Sequence, residues 1–164
     1  MDISFSSLPT TVDQFRSMPE FGFGSPFQVA ALTVVALTAF ETDREQCYQM
    51  IDALKGPAQL SPMDKAFIRD RMMGKAEYIA KAYFVGSTPD NGYTPTQPLT
   101  VTVNESPYSY TNEGYATLYI PTTGADSPRG IQLRSKASTG EWFLWDFPGL
   151  LADIRKPTAS NPWA

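Results

Sequence analysis

The side chains able to carry chemistry are few, and their spacing does not converge on one reaction. Histidine is absent, which removes together the commonest general base, the Ser-His and Cys-His nucleophile pairs and the favoured transition-metal ligand. One thiol is present, Cys47. It sits near an expected helix N-terminus, a position that lowers thiolate pKa. It also shares an apolar face with Met50, Ile51 and Leu54, where a thiol packs as a small hydrophobe, and that reading is preferred. A lone cysteine excludes an intramolecular disulfide and any multi-cysteine zinc site. Asp64 and Asp70 are six residues apart on one expected helix, about 600° of rotation, and so point to opposite sides. Glu41, Asp43 and Glu45 cluster at a helix start, where the macrodipole favours anions. Arg69-Asp70-Arg71 reads as a solvated or ion-paired helix end.

Known templates fail on inspection. Gly22-Phe23-Gly24 has no third glycine at dinucleotide spacing, and Gly74-Lys75 lacks the upstream glycine of a phosphate-binding loop. Asp90-Asn91-Gly92 reads as a turn, because further ligands do not follow at calcium-loop spacing. The balance leans away from an enzyme, with no catalytic, cofactor-binding or metal residue and no cofactor expected.

What stands out is aromatic. Tyr78, Tyr83, Tyr93, Tyr108, Tyr110, Tyr115 and Tyr119 crowd into one stretch, interleaved with Pro and Asn. Tyrosine on irregular backbone offers contact area and a hydroxyl at low entropic cost. Two readings follow: the tyrosines pack the loops onto a sheet, or they form a recognition surface. The candidate interaction surface comprises Tyr83, Tyr93, Tyr108, Tyr110, Tyr115, Arg129 and Arg134. The two arginines lie on a strand edge able to meet an acidic partner or simply to discourage edge pairing.

The elements that must position these residues change character halfway along the chain. Thr11-Val12-Asp13-Gln14, Ser25-Pro26-Phe27-Gln28, Asp43-Arg44-Glu45-Gln46 and Ser61-Pro62-Met63-Asp64 are helix-start signals. The first opens a short helix stopped by Pro19. The second opens the most apolar helix, running to Phe40 and without a wet face, and hence a buried one. Its fourteen residues from Phe27 would rise about 21 Å, short of a hydrocarbon core of about 30 Å. Lys55-Gly56-Pro57 closes the next helix. The last is expected to turn Phe67, Ile68 and Met72 inward. Tyr78 to Val85 reads as a short strand or irregular turn. Leu99–Val103, Tyr115–Ile120, Arg129–Lys136 and Glu141–Asp146 alternate as strands, and short links suggest an antiparallel meander. Ile131 and Leu133 should face in, with Gln132, Arg134 and Lys136 out. One turn of helix fits between Pro148 and Pro157.

The expectation is an α+β fold: an N-terminal layer of about three helices packed on a C-terminal antiparallel sheet of about four strands. It forms a single domain over 1–164, with a helical part at about 11–73, a loop at 86–98, a β part at about 99–146 and a tail at 158–164. Net charge is −4, from 13 basic and 17 acidic residues, against the cationic excess that phosphate neutralisation requires. Nucleic acid is therefore not expected as a partner, nor is a membrane. The start, Met1-Asp2-Ile3-Ser4, lacks the basic region of a secretory signal, so the cytoplasm is the expected location.

Several strings together resemble a family of short bacterial proteins known only as a domain of unknown function. They are Lys55-Gly56-Pro57, Leu60-Ser61-Pro62, Phe67-Ile68-Arg69-Asp70-Arg71, Asn91-Gly92-Tyr93-Thr94-Pro95 and Glu113-Gly114-Tyr115-Ala116-Thr117-Leu118-Tyr119. Gly124-Ala125-Asp126-Ser127-Pro128-Arg129, Gly140-Glu141-Trp142-Phe143-Leu144-Trp145 and Asp153-Ile154-Arg155 complete the pattern. The resemblance implies a cytoplasmic bacterial protein, commonly of Gram-positive gut lineages, and carries no catalytic residues over. Two functions are expected from different classes. The preferred one is a non-catalytic interaction module with an unidentified protein partner. The alternative is a small-ligand-binding or weakly enzymatic domain, its pocket between helices and sheet lined by Trp142, Trp145, Tyr83 and Tyr115.

Overall fold

A computed structural model describes residues 1–164. Four α-helices come early in the chain: α1 (Val12–Arg16), α2 (Pro26–Thr38), α3 (Arg44–Lys55) and α4 (Pro62–Met72). Each begins where the sequence places a cap. Thr11 accepts the Gln14 N–H, Ser25 that of Phe27, and Asp43 those of Glu45 and Gln46. Ser61 and Asp64 form a reciprocal capping box. These contacts satisfy helix-start N–H groups that have no partner within the helix. Gln28 does not reach back to its own cap; its side-chain amide donates to the Glu20 carbonyl and ties down the preceding loop.

Every residue of α2 from Val29 to Thr38 is buried. Thr33 and Thr38 are tolerated there because their hydroxyls donate to the Val29 and Val35 carbonyls at 2.9 and 2.6 Å, removing the cost of an unpaired buried donor. The helix touches α3 and four β-strands, so it is the axis of a cluster of 40 buried apolar residues.

The strands are β1 (Asp2–Phe5), β2 (Leu99–Thr102), β3 (Tyr115–Ile120), β4 (Arg129–Ser135) and β5 (Trp142–Asp146). They form two small antiparallel sheets, β1-β2 and β3-β4-β5, in place of one four-stranded sheet. The sheets meet at one bridge, where Asn104 and Tyr119 exchange hydrogen bonds of 2.8 and 2.9 Å. Strand β1 was not expected. Four residues carry too little alternation to stand out, and the partner lies almost a hundred positions away, with Phe5 opposite Leu99 and Asp2 opposite Thr102. The fold is α+β, but the N-terminus contributes a strand as well as helices.

In the three-stranded sheet Ala116, Leu118, Ile120, Ile131, Leu133 and Leu144 are buried, and Gln132 and Arg134 are not, as the alternation requires. Phe67 departs from expectation: it is 37 % exposed, with the Arg71 guanidinium 5.1 Å from its ring centroid. Tyr78 to Phe84 is a mostly buried turn with a 3-10 segment at Lys81–Tyr83 and a bridge from Phe84 to Val101, and Val85 emerges exposed. Pro148–Leu151 forms the single helical turn expected there. No helix is long and apolar enough to cross a membrane.

Candidate functional site

The tyrosines divide between core and surface. Tyr83 is buried, and its hydroxyl donates to the Leu150 carbonyl. Burial pushes its pKa well above the usual phenol range. Tyr93 is fully buried and stacked on Tyr78 at 5.7 Å, and it donates to the Arg155 carbonyl at 2.6 Å. Neither can belong to a recognition surface. Each ring fills the core, and each hydroxyl is paired with a carbonyl more than 60 residues away in sequence. Arg129 lies at the far end of β4, half-buried, reaching toward the Asp153 carbonyl at 3.4 Å.

The remaining candidates gather at the other end of that sheet. Tyr108 is exposed, and Tyr110, two residues on, meets Trp142 edge-to-face at 6.4 Å. Tyr115 lies opposite Arg134 in the β3–β4 ladder. The Arg134 guanidinium stands 5.4 Å from the Tyr115 ring and 4.7 Å from that of Trp145, and the two rings meet at 5.8 Å. A cation held against two aromatic faces is ordered without being neutralised, and Arg134 has no carboxylate partner. The result is an aromatic and cationic surface patch in which Tyr110 and Arg134 are exposed and Tyr115, Trp142 and Trp145 are half-buried.

Beside it lies the feature that sequence reasoning missed. Lys55, the last residue of α3, is only 9 % exposed. Its ammonium donates to the Trp145 carbonyl at 3.1 Å and makes no ion pair. Burial lowers its pKa, opposed by Asp64, Asp146 and Asp52. Two open clefts meet at Lys55 and Trp145. One, of about 350 Å³, has apolar walls from Leu60, Met63, Phe67 and Trp145 and carries Asp64 and Asp146. The other, of about 410 Å³, is lined by Lys55, Arg134, Lys136, Phe143, Trp145 and Pro57. The pocket expected from Trp142, Trp145, Tyr83 and Tyr115 does not form, since of these four only Trp145 reaches the clefts. In the sequence Lys55 looks like an ordinary helix-ending lysine. The signal available was its place before Gly56-Pro57, a tight turn that brings the helix end back onto β5.

The turn needs Gly56, whose φ is +60°. A Cβ there would sit 2.6 Å from the Phe143 ring. Other chemically capable groups are committed elsewhere. Cys47 is buried, and burial raises its thiol pKa to about 12, which rules out a ready nucleophile. Asp43 and Asp64 cap helices, Glu41 pairs with Lys81 at 3.2 Å, and Arg69 pairs with Asp70 on the surface at 3.5 Å.

The family model described as a domain of unknown function (DUF6935) matches residues 7–158. No curated protein and no solved structure matches the chain.

Proposed function

We propose, for a chain that belongs to the family described as a domain of unknown function (DUF6935), that it serves as a non-catalytic protein-interaction module of a bacterial cytoplasm. The observation that carries this reading is the patch at the open end of the three-stranded sheet, where Arg134 lies against Tyr115 and Trp145 with no carboxylate partner. Aromatic rings with arginine are the composition that dominates binding energy at interfaces. The chain as a whole is acidic, so a basic patch on it favours a partner segment that carries carboxylates. The bacterial and cytoplasmic setting draws support from the motif resemblance and from the single, buried, free thiol.

The test is a pull-down from native bacterial lysate with wild type, Arg134→Glu and a Tyr108→Ala, Tyr110→Ala double variant, all shown to be folded. A partner recovered by wild type is then purified, and its affinity should fall roughly tenfold or more with Arg134→Glu, as a reversed interfacial charge implies. Identical recovery by all three proteins would reject the patch as the interface.

A second reading, small-ligand binding or weak catalysis between helices and sheet, is favoured by the paired clefts at Lys55. Their volumes fall in the range of roughly 300–1,000 Å³ occupied by small-molecule sites.

A further inference from the structure

The two clefts at Lys55 differ in charge. The one beside α4 mixes Lys55 with Asp64 and Asp146. The one beneath the Gly56 turn presents Lys55, Arg134 and Lys136 and no carboxylate, in a chain whose net charge is −4. Its remaining walls are apolar apart from Ser135, and include Pro57, Phe143 and Trp145. The carboxylate-free cationic lining is the main observation, and Lys55 adds to it. An ammonium has three donors, and only one is used, toward the Trp145 carbonyl. Burial makes this cation costly, and Asp64, Asp146 and Asp52 offset that cost from a distance without forming an ion pair. An anion in the cleft therefore meets an ammonium that is not already paired.

We infer that the cleft formed by Lys55, Arg134, Lys136 and Trp145 is a binding site for a small amphipathic carboxylate, its anionic head on Lys55 and its apolar body against Trp145 and Phe143. A carboxylate matches the donors. Lys55 offers a point charge and Arg134 a planar fork that pairs two oxygens at once. A doubly charged phosphate fits less well. Phosphate sites use helix N-termini, whereas Lys55 is the C-terminal residue of α3, where the helix presents partial negative charge. One negative charge is tolerated there better than two.

This assignment rests on the small-ligand reading and needs no protein partner. Trp145 touches the site, so its fluorescence reports binding. In a Trp142→Phe, Trp163→Phe background it is the sole tryptophan, the chain having three. Phenylacetate, its neutral isostere phenylacetamide, and phenyl phosphate are titrated against this protein. Phenylacetate should change the emission saturably and bind roughly tenfold or more tighter than the amide, the share expected of charge-assisted hydrogen bonds. Lys55→Met should remove that preference. Arg134→Gln, at an exposed position, should weaken phenylacetate several-fold and leave the circular dichroism spectrum unchanged; it decides the matter if Lys55→Met does not fold. Equal binding of phenylacetate and its amide, or indifference to both substitutions, overturns the carboxylate assignment but leaves a small-ligand site. Tighter binding of phenyl phosphate overturns the choice of anion. No response to any of the three overturns the assignment and the small-ligand reading together.

Discussion

At the scale of single residues, the same side chain does opposite things in different places. Tyr83 and Tyr108 are both loop-region tyrosines, yet one is buried with its hydroxyl bonded and the other is 79 % exposed. Tyr83→Phe should therefore cost about 1–3 kcal/mol, because the Leu150 carbonyl loses its donor inside the core. Tyr108→Ala should stay within about 0.5 kcal/mol, both read from urea midpoints. Titration gives a second test. Cys47 has a pKa of about 12 in the fold against an ordinary value of 9.0, so above pH 9 the native state holds a proton that the unfolded chain releases. Stability from this group is complete below pH 9 and is lost as pH rises toward 12. The tyrosines Tyr48, Tyr78, Tyr83 and Tyr93, all raised from 10.0, add loss above pH 10. Lys55, lowered from 10.5, acts in the other direction: below 10.5 its buried charge disfavours the fold, and the penalty lifts as it deprotonates. Urea midpoints should fall from pH 9 upward, and Cys47→Ala should flatten the part between 9 and 10, before the tyrosines ionise. An unchanged slope in that variant would remove Cys47 as the cause. Native Cys47 should also react with iodoacetamide only as fast as the core opens.

At the scale of elements, the helices depend on their starts and the cleft on one turn. Ser25→Ala and Ser61→Ala each remove a cap and should cost about 1 kcal/mol. Leu32→Ala, in the middle of the buried α2, should cost about 2–5 kcal/mol through lost burial and a cavity. Gly56→Ala combines a backbone conformation that side chains disfavour with a Cβ placed against Phe143. Strain of about 1–3 kcal/mol is expected from the backbone alone. Displacing Phe143 should also weaken ligand binding in the cationic cleft, which that ring lines. Full retention of both stability and binding in Gly56→Ala would contradict the account of this turn.

At the scale of the whole molecule, distant parts of the chain complete one another. The β1 strand lies before the residues matched by the family model, yet Phe5 is buried and pairs with Leu99. Deleting residues 1–5 should remove about 3 kcal/mol, the share of one large buried side chain with its cavity, and lower the thermal midpoint by several degrees. An unchanged midpoint would mean that the ladder with β2 adds nothing. The Lys55 clefts are likewise composite. The end of α3, the start of α4 and the β4–β5 hairpin each supply a wall, so the site exists only once helices and sheet are docked.

What the residues determined unaided was local. Thr11, Ser25, Asp43 and Ser61 cap their own next turns, and the alternation of Tyr115–Ile120 and Arg129–Ser135 matches the strands formed, because these signals act over neighbouring positions. The unbroken apolar surface of α2 also fixed its place at the centre. Tertiary structure alone decided which tyrosines go inside, that Asp2–Phe5 becomes a strand, and that Lys55 is buried over Trp145. A tyrosine hydroxyl accepts water or a carbonyl from anywhere in the chain, a four-residue strand is made by its partner, and a lysine is enclosed only by segments that arrive from elsewhere. Those choices depend on contacts 62 to 102 residues away, beyond the reach of periodicity and capping.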